Sequence, residues 1–157
     1  MANLTGRAQI FSGDTSIIDT ALQQQLGTRA MDVDGNEYIY LEGVASTVAG
    51  DWVTFDENYI TTRAIANGKG RVGIAMAAIV ASRYGWYQIY GKNTIAKGVS
   101  GSIDDNDQLF LTSTAGTVDD TDVAVDLIAG ALARSADATG VFTAELNYPI
   151  CLNVVYN

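Results

Sequence analysis

Gly85-Trp86-Tyr87-Gln88-Ile89-Tyr90-Gly91 is a short aromatic run closed by glycine at both ends. It follows an alanine-rich apolar segment, Arg71 to Ser82, and related wording stands on either side of it. Upstream, Gly43 to Gly50 leads through Asp51 into Trp52-Val53-Thr54-Phe55; downstream, Gly130 to Ala133 leads through a polar connector into Val141-Phe142-Thr143-Ala144-Glu145-Leu146. In each copy glycine and small apolar residues precede a connector and then an aromatic-bearing strand, with Trp52, Trp86 and Phe142 at the matching place. If the copies are equivalent units, all three alanine-rich pieces are strands. Helix propensity favours Val72 to Ser82 and Asp122 to Ala133, but the β-branched Val44 to Val48 speaks against it, and propensity yields to tertiary context.

Successive strand residues face opposite sides, so Trp86, Gln88 and Tyr90 share one face and Tyr87 and Ile89 the other. A strand with aromatics on both faces is expected to be covered twice, in part by another subunit, since Tyr and Trp are favoured at interfaces. For any one of these residues an ordinary core or surface position is the simpler assignment.

Outward from the run, Thr28–Val33 and Asn36–Leu41 flank Asp34-Gly35, which predicts a hairpin with a type I′ turn. Tyr38 and Tyr40 point to one face of its second strand, Ile39 and Leu41 to the other. Asp32, Asp34 and Asn36 imitate a calcium loop, but the glycine is at the fourth place and Gly43 stands where the twelfth-position glutamate belongs. Further strands are expected at Trp52–Phe55, Tyr59–Ala64, Thr94–Val99, Gln108–Ser113, Phe142–Leu146 and Ile150–Tyr156, with Pro149 dividing the last two. About ten short strands with regular turn residues predict a mainly β fold, a compact antiparallel β-barrel or sandwich built from repeated hairpins.

Residues 1–27 read as an N-terminal arm and 28–157 as a single β-rich domain. The arm is poor in pattern; Ala21 to Leu26 could form a short helix capped by Asp19 or Thr20, too short to stand alone. An ordinary N-terminal strand is the equal alternative.

Composition narrows the functions. Of 157 residues 48% are hydrophobic and 17% charged, enough apolar material for a core. The net charge of −9 repels phosphate, so nucleic acid and anionic membrane surfaces are not expected partners. Histidine is absent, which removes the commonest general base and metal ligand. The single cysteine, Cys151, sits in an apolar run and reads as a buried thiol. The first residues lack the blocks of a signal peptide, and Val72 to Ala81 is shorter than the roughly 20 residues that cross a bilayer. A soluble, cytosol-made protein is expected. Asn67-Gly68-Lys69-Gly70 lacks the Gly-Lys-Ser/Thr end of a phosphate loop. The acidic groups Asp104-Asp105-Asp107 and Asp119-Asp120-Asp122 fall in turn-like segments and read as solvated loops, with a structural Ca²⁺ as the alternative. No nucleophile motif is present, and neither an enzyme nor a cofactor is expected.

Leu26-Gly27-Thr28-Arg29, Asp32 to Ser46, Gly70 to Ala77 and Tyr84 to Gly91, with Gly116-Thr117-Val118 and Ile128 to Ala133, together resemble the small capsid decoration (cement) proteins of tailed bacteriophages. The resemblance spans about residues 26 to 150 and rests on hairpin signatures. It implies a β-rich domain, a homo-oligomer and specifically a trimer, on the outside of the virion capsid. The implied partner is the major capsid protein, whose neighbouring subunits it would clamp, with a terminal arm laid across the shell. The resemblance carries no functional side chains. The interface residues expected from aromatic and apolar character are therefore Ile10, Phe11, Ile17, Ile18 and Leu22 in the arm, and Tyr38, Tyr40, Trp52, Trp86 and Tyr90 in the domain. The alternative is a glycan- or cell-binding β module of a fibre or adhesin, with Trp52 or Trp86 as the sugar platform. A carboxylate hydrolase is a third reading, for which neither acidic cluster supplies a positioning partner.

Overall fold

The computed structural model describes residues 13–137 and 139–153. Ten strands follow in order: β1 (Arg29–Met31), β2 (Glu37–Glu42), β3 (Trp52–Phe55), β4 (Thr61–Arg63), β5 (Gly70–Ala75), β6 (Tyr84–Lys97), β7 (Gln108–Leu111), β8 (Val118–Asp119), β9 (Leu127–Ala133) and β10 (Val141–Cys151). A 3₁₀ turn, Ala124–Asp126, precedes β9, and no α-helix occurs among the described residues. All pairings between strands are antiparallel, in one sheet of order β1-β2-β6-β5-β10-β9-β7-β8, with β3 joining β5 and β4 joining β3. The fold is thus the expected mainly β one, sandwich-like. The sheet does not close into a barrel; single parallel bridges, Glu42 with Ile60 and Gly98 with Val118, tie parts of its margins.

Alternation along the shared strands makes two cores. Trp52 on β3 and Val72 and Ile74 on β5 enter one core with Leu109, Val118, Ile128, Phe142 and Leu146. Val53, Phe55 and Ala75 of the same strands enter the other with Ile39, Leu41, Ile79, Tyr87 and Ile89. Burying both faces of β3 and β5 removes apolar area from water on two sides at once. A third, smaller cluster holds Tyr38, Tyr40 and Trp86, whose position opposite Tyr40 brings the two rings to 5.2 Å edge to face.

Local readings meet the structure unevenly. The second and third copies of the repeat are indeed strand–loop–strand units, β5/β6 and β9/β10. The first is not: residues 43–50 form turns, because their backbone is held by the neighbours rather than by a ladder. Gly43 lies so close to Ile79 that a Cβ would stand 2.0 Å from its carbonyl oxygen. The strand expected over Val72–Ser82 ends at Ala75. Thr94–Val99 is not separate, since β6 runs through Gly91, whose φ of +91° bends it without ending it. Ala21–Leu26 is not helical.

The turn after β1 is not type I′. Gly35 has positive φ and Asp34 does not, and the strands are joined by residues 32–36. The Asp32 carboxylate organises this turn. Its Oδ1 accepts the N–H groups of Asp34 and Asn36, and its Oδ2 accepts Asn36 Nδ2 and the Tyr38 hydroxyl, each at 2.9 Å. Burial pushes its pKa up, but these hydrogen bonds outweigh that and hold it below the usual carboxylate value.

Pro149 does not break the last strand either; β10 passes through it by a bulge. Leu146 pairs with Ala131 and Ile150 with Ala129, so Asn147, Tyr148 and Pro149 stand against the single residue Gly130. A bulge is where a sheet tolerates a residue with no N–H to donate.

Candidate functional site

Residues 13–27 lie as a strap over the third cluster. Asp19 exchanges both backbone hydrogen bonds with Tyr84, at 2.8 and 3.0 Å. The Tyr40 hydroxyl donates to Asp19 Oδ2 at 2.5 Å and receives the Gln23 N–H at 3.4 Å. Gly27 N–H then donates to the Tyr40 carbonyl at 2.8 Å. Gly27 has φ +84° and a Cβ there would run into the Tyr59 ring, so the strap turns into β1 at a place only glycine fits. Burial, and then the bond to Asp19, push the Tyr40 phenol up to about 12.

This pinning leaves apolar side chains outside. Ile17, Ile18 and Leu22 are 52%, 40% and 54% exposed, on a strap held to the scaffold through Asp19, Gln23 and Gly27. Leu26 instead packs on the cluster beneath.

A second feature forms where β5 and β6 part. They pair only at Ile74–Gln88 and Ala75–Tyr87. Beyond Gln88, β10 takes over as the neighbour of β6, from Asn147–Tyr90 to Val141–Lys97, and its far end pairs with β5 at Ile150–Arg71. The bulge at Tyr148-Pro149 spans the gap, and Pro149 has no N–H with which to close the ladder. A cleft of about 290 Å³ remains, lined by Arg29, Phe55, Arg71, Val72, Ile89, Tyr148, Pro149 and Ile150. At its rim the Tyr90 and Tyr148 rings are 5.1 Å apart, Arg29 lies 5.8 Å over the Tyr148 ring, and the Tyr148 hydroxyl donates to Glu37 at 2.8 Å.

The expected interface residues thus divide. Ile17, Ile18, Leu22 and Tyr90 are exposed on this chain. Tyr38, Tyr40, Trp52 and Trp86 are buried inside it, so they are not surface residues of this chain. Trp52 stacks on Phe142 at 6.5 Å and donates Nε1–H to the Lys97 carbonyl at 3.0 Å. Cover within the chain reaches both faces of β6, since Ile39, Leu41 and Val53 share a core with Tyr87 and Ile89 and the strap residue Leu26 packs on the cluster that holds Trp86, while Tyr90 stays exposed. With both tryptophans buried, neither is a platform for sugar. Ile10 and Phe11 lie outside the described residues. Arg29, Arg71 and Tyr148 were not marked by any local pattern, because they come together only through the β10 bulge.

Among the described residues no three acidic or cysteine side chains gather to hold a metal ion. The two acidic loops spend carboxylates on their own backbone: Asp107 accepts the Asp104 N–H at 2.7 Å and Asp119 that of Thr121 at 3.1 Å. Asp51 is wholly buried and accepts Arg63 Nε at 2.8 Å and Lys97 Nζ at 3.1 Å. It fixes the turn before β3 by also accepting the Val48 N–H. The Cys151 thiol is buried and pushed up to about 12, by burial first and by Asp126 second, which keeps it protonated and unreactive. No helix among the described residues is long and apolar enough to cross a membrane. No family model matches the chain, and neither does any characterised protein or solved structure among those compared.

Proposed function

We propose that this chain is a virion structural protein, a capsid decoration protein that seats on the outside of a phage head and clamps neighbouring major capsid subunits. One observation carries the reading: Ile17, Ile18 and Leu22 project from a strap that is itself anchored to Tyr40 and Tyr84 of the scaffold. Apolar side chains held in fixed positions lose little conformational entropy on docking, which is what a clamp needs. The resemblance noted in the sequence supports the same role, as does a sheet with two cores, which resists deformation. Several copies of the chain, in the family's manner a trimer, would add their contacts through effective concentration. The acidic surface suits an exterior position and disfavours contact with the packaged nucleic acid.

The test is co-sedimentation of the purified protein with undecorated heads of the phage that encodes it. Binding to assembled heads but not to free coat subunits is expected, with binding weakened at least about tenfold in the Ile17→Asp/Leu22→Asp variant. Absence of the folded protein from the pelleted heads overturns the reading.

A further inference from the structure

We propose that the cleft where β5 and β6 part, spanned by the β10 bulge, is a docking groove for an extended acidic peptide segment of a partner protein. The segment would set an apolar side chain on Phe55, Ile89 and Ile150 and pair a neighbouring carboxylate with Arg29 and Arg71. The first support is charge. The chain has 18 acidic and nine basic residues, yet the only charged residues lining this cleft are two arginines. Three of the other cations, Arg63, Lys97 and Arg134, are committed to ion pairs, whereas Arg29 and Arg71 make none among the described residues. The Glu37 carboxylate accepts the Tyr148 hydroxyl and is not part of the cleft lining. Guanidinium groups match carboxylates in a planar, two-bond geometry that no other side chain offers.

The second support is shape. The floor is apolar, made by residues of β3, β5, β6 and β10, and at about 290 Å³ it suits one side chain rather than a large ligand. It continues through Phe55, Arg71 and Ile150 into a second hollow of about 590 Å³. That hollow carries Asp56, Glu57 and Lys69, groups suited to the polar backbone and side chains of a chain passing along it. An elongated groove with one apolar socket, Arg29 beside the socket and Arg71 at the junction of the two hollows, fits an extended peptide better than a compact molecule.

The proposal does not rest on the capsid reading, which depends on the strap residues, and either can fail alone. The test pans the immobilised full chain against a random-sequence peptide library. Enriched peptides should carry Asp or Glu beside a large apolar residue. A synthetic copy of one should shift the amide resonances of Ile89 and Ile150. Arg29→Gln/Arg71→Gln, which removes two exposed guanidinium groups and the Arg29 cation–π contact to Tyr148 and should keep a cooperative thermal melt, should weaken binding by about tenfold or more. Added salt should weaken it as well. No enrichment, enrichment without carboxylates, or equal binding by the double variant would each overturn the proposal. So would benzoate binding as tightly as the peptide, which would mark a small-molecule pocket instead.

Discussion

At the scale of the residue, the acid groups that link stability to alkaline pH are phenols and a thiol. Tyr38, Tyr40 and Tyr87 are pushed up mainly by burial, Tyr40 to about 12, and Cys151 likewise to about 12. In the unfolded chain a thiol ionises near pH ~8.5 and a phenol near ~10. Between those values and the folded ones the unfolded state binds fewer protons than the folded state. Stability from these groups is therefore complete below about pH 8.5 and falls as pH rises toward 12. Urea midpoints measured at neutral pH and in steps up to about pH 11 should decline from roughly pH 9 onward; a flat profile would contradict the burial of these side chains. Tyrosine positions in β2 and β6 could be read by alternation, but their depth could not. Tyr90 and Tyr87 are both β6 tyrosines, and only the packing separates the exposed one from the buried one.

At the scale of the element, the bulge of β10 against Gly130 tests how the sheet is built. Gly130 has φ +83°, and a Cβ on it would stand 2.6 Å from the Asn147 carbonyl oxygen. Gly101 has φ +77° and open space around it. Both alanine substitutions incur the strain of a left-handed residue, about 1–2 kcal/mol, but only Gly130→Ala adds a clash that must move a strand. Equilibrium denaturation should place Gly101→Ala near 1 kcal/mol and Gly130→Ala at about 3 kcal/mol or more. Equal effects would mean that the two strands are not in close contact there. Elements with clean alternation and clear turn residues, such as β2, β7 and the first half of β6, were legible in the sequence. Those that depend on a distant partner were not. Residues 43–50 resemble the other alanine-rich segments, yet they have no ladder to join, and Pro149 looks like a strand end until Gly130 lies opposite it.

At the scale of the molecule, β3 and β5 serve both cores, so neither core has a sheet of its own. Trp52 belongs to one core and Trp86 to the cluster on the opposite side of the molecule's central strand β6 from Tyr87. Single-tryptophan variants, Trp52→Phe and Trp86→Phe, should therefore report one common unfolding transition, coincident with the loss of far-ultraviolet circular dichroism within each variant. Separate midpoints by the two probes in one variant would show that a core can open by itself. Such coupling matters for the proposed role, since a clamp that opened locally would release what it holds.

The sequence by itself determined the class of fold. Period-two alternation and glycine-rich turns specify strands because they are local properties of the chain. The absence of histidine and the excess of acid bear on chemistry whatever the fold. Only the tertiary structure decided which aromatic residues are inside, where the strap crosses and where two arginines meet an apolar floor. Burial and convergence depend on residues far apart in the chain, Arg29, Arg71 and Tyr148 among them, and no local pattern encodes the register that brings them together.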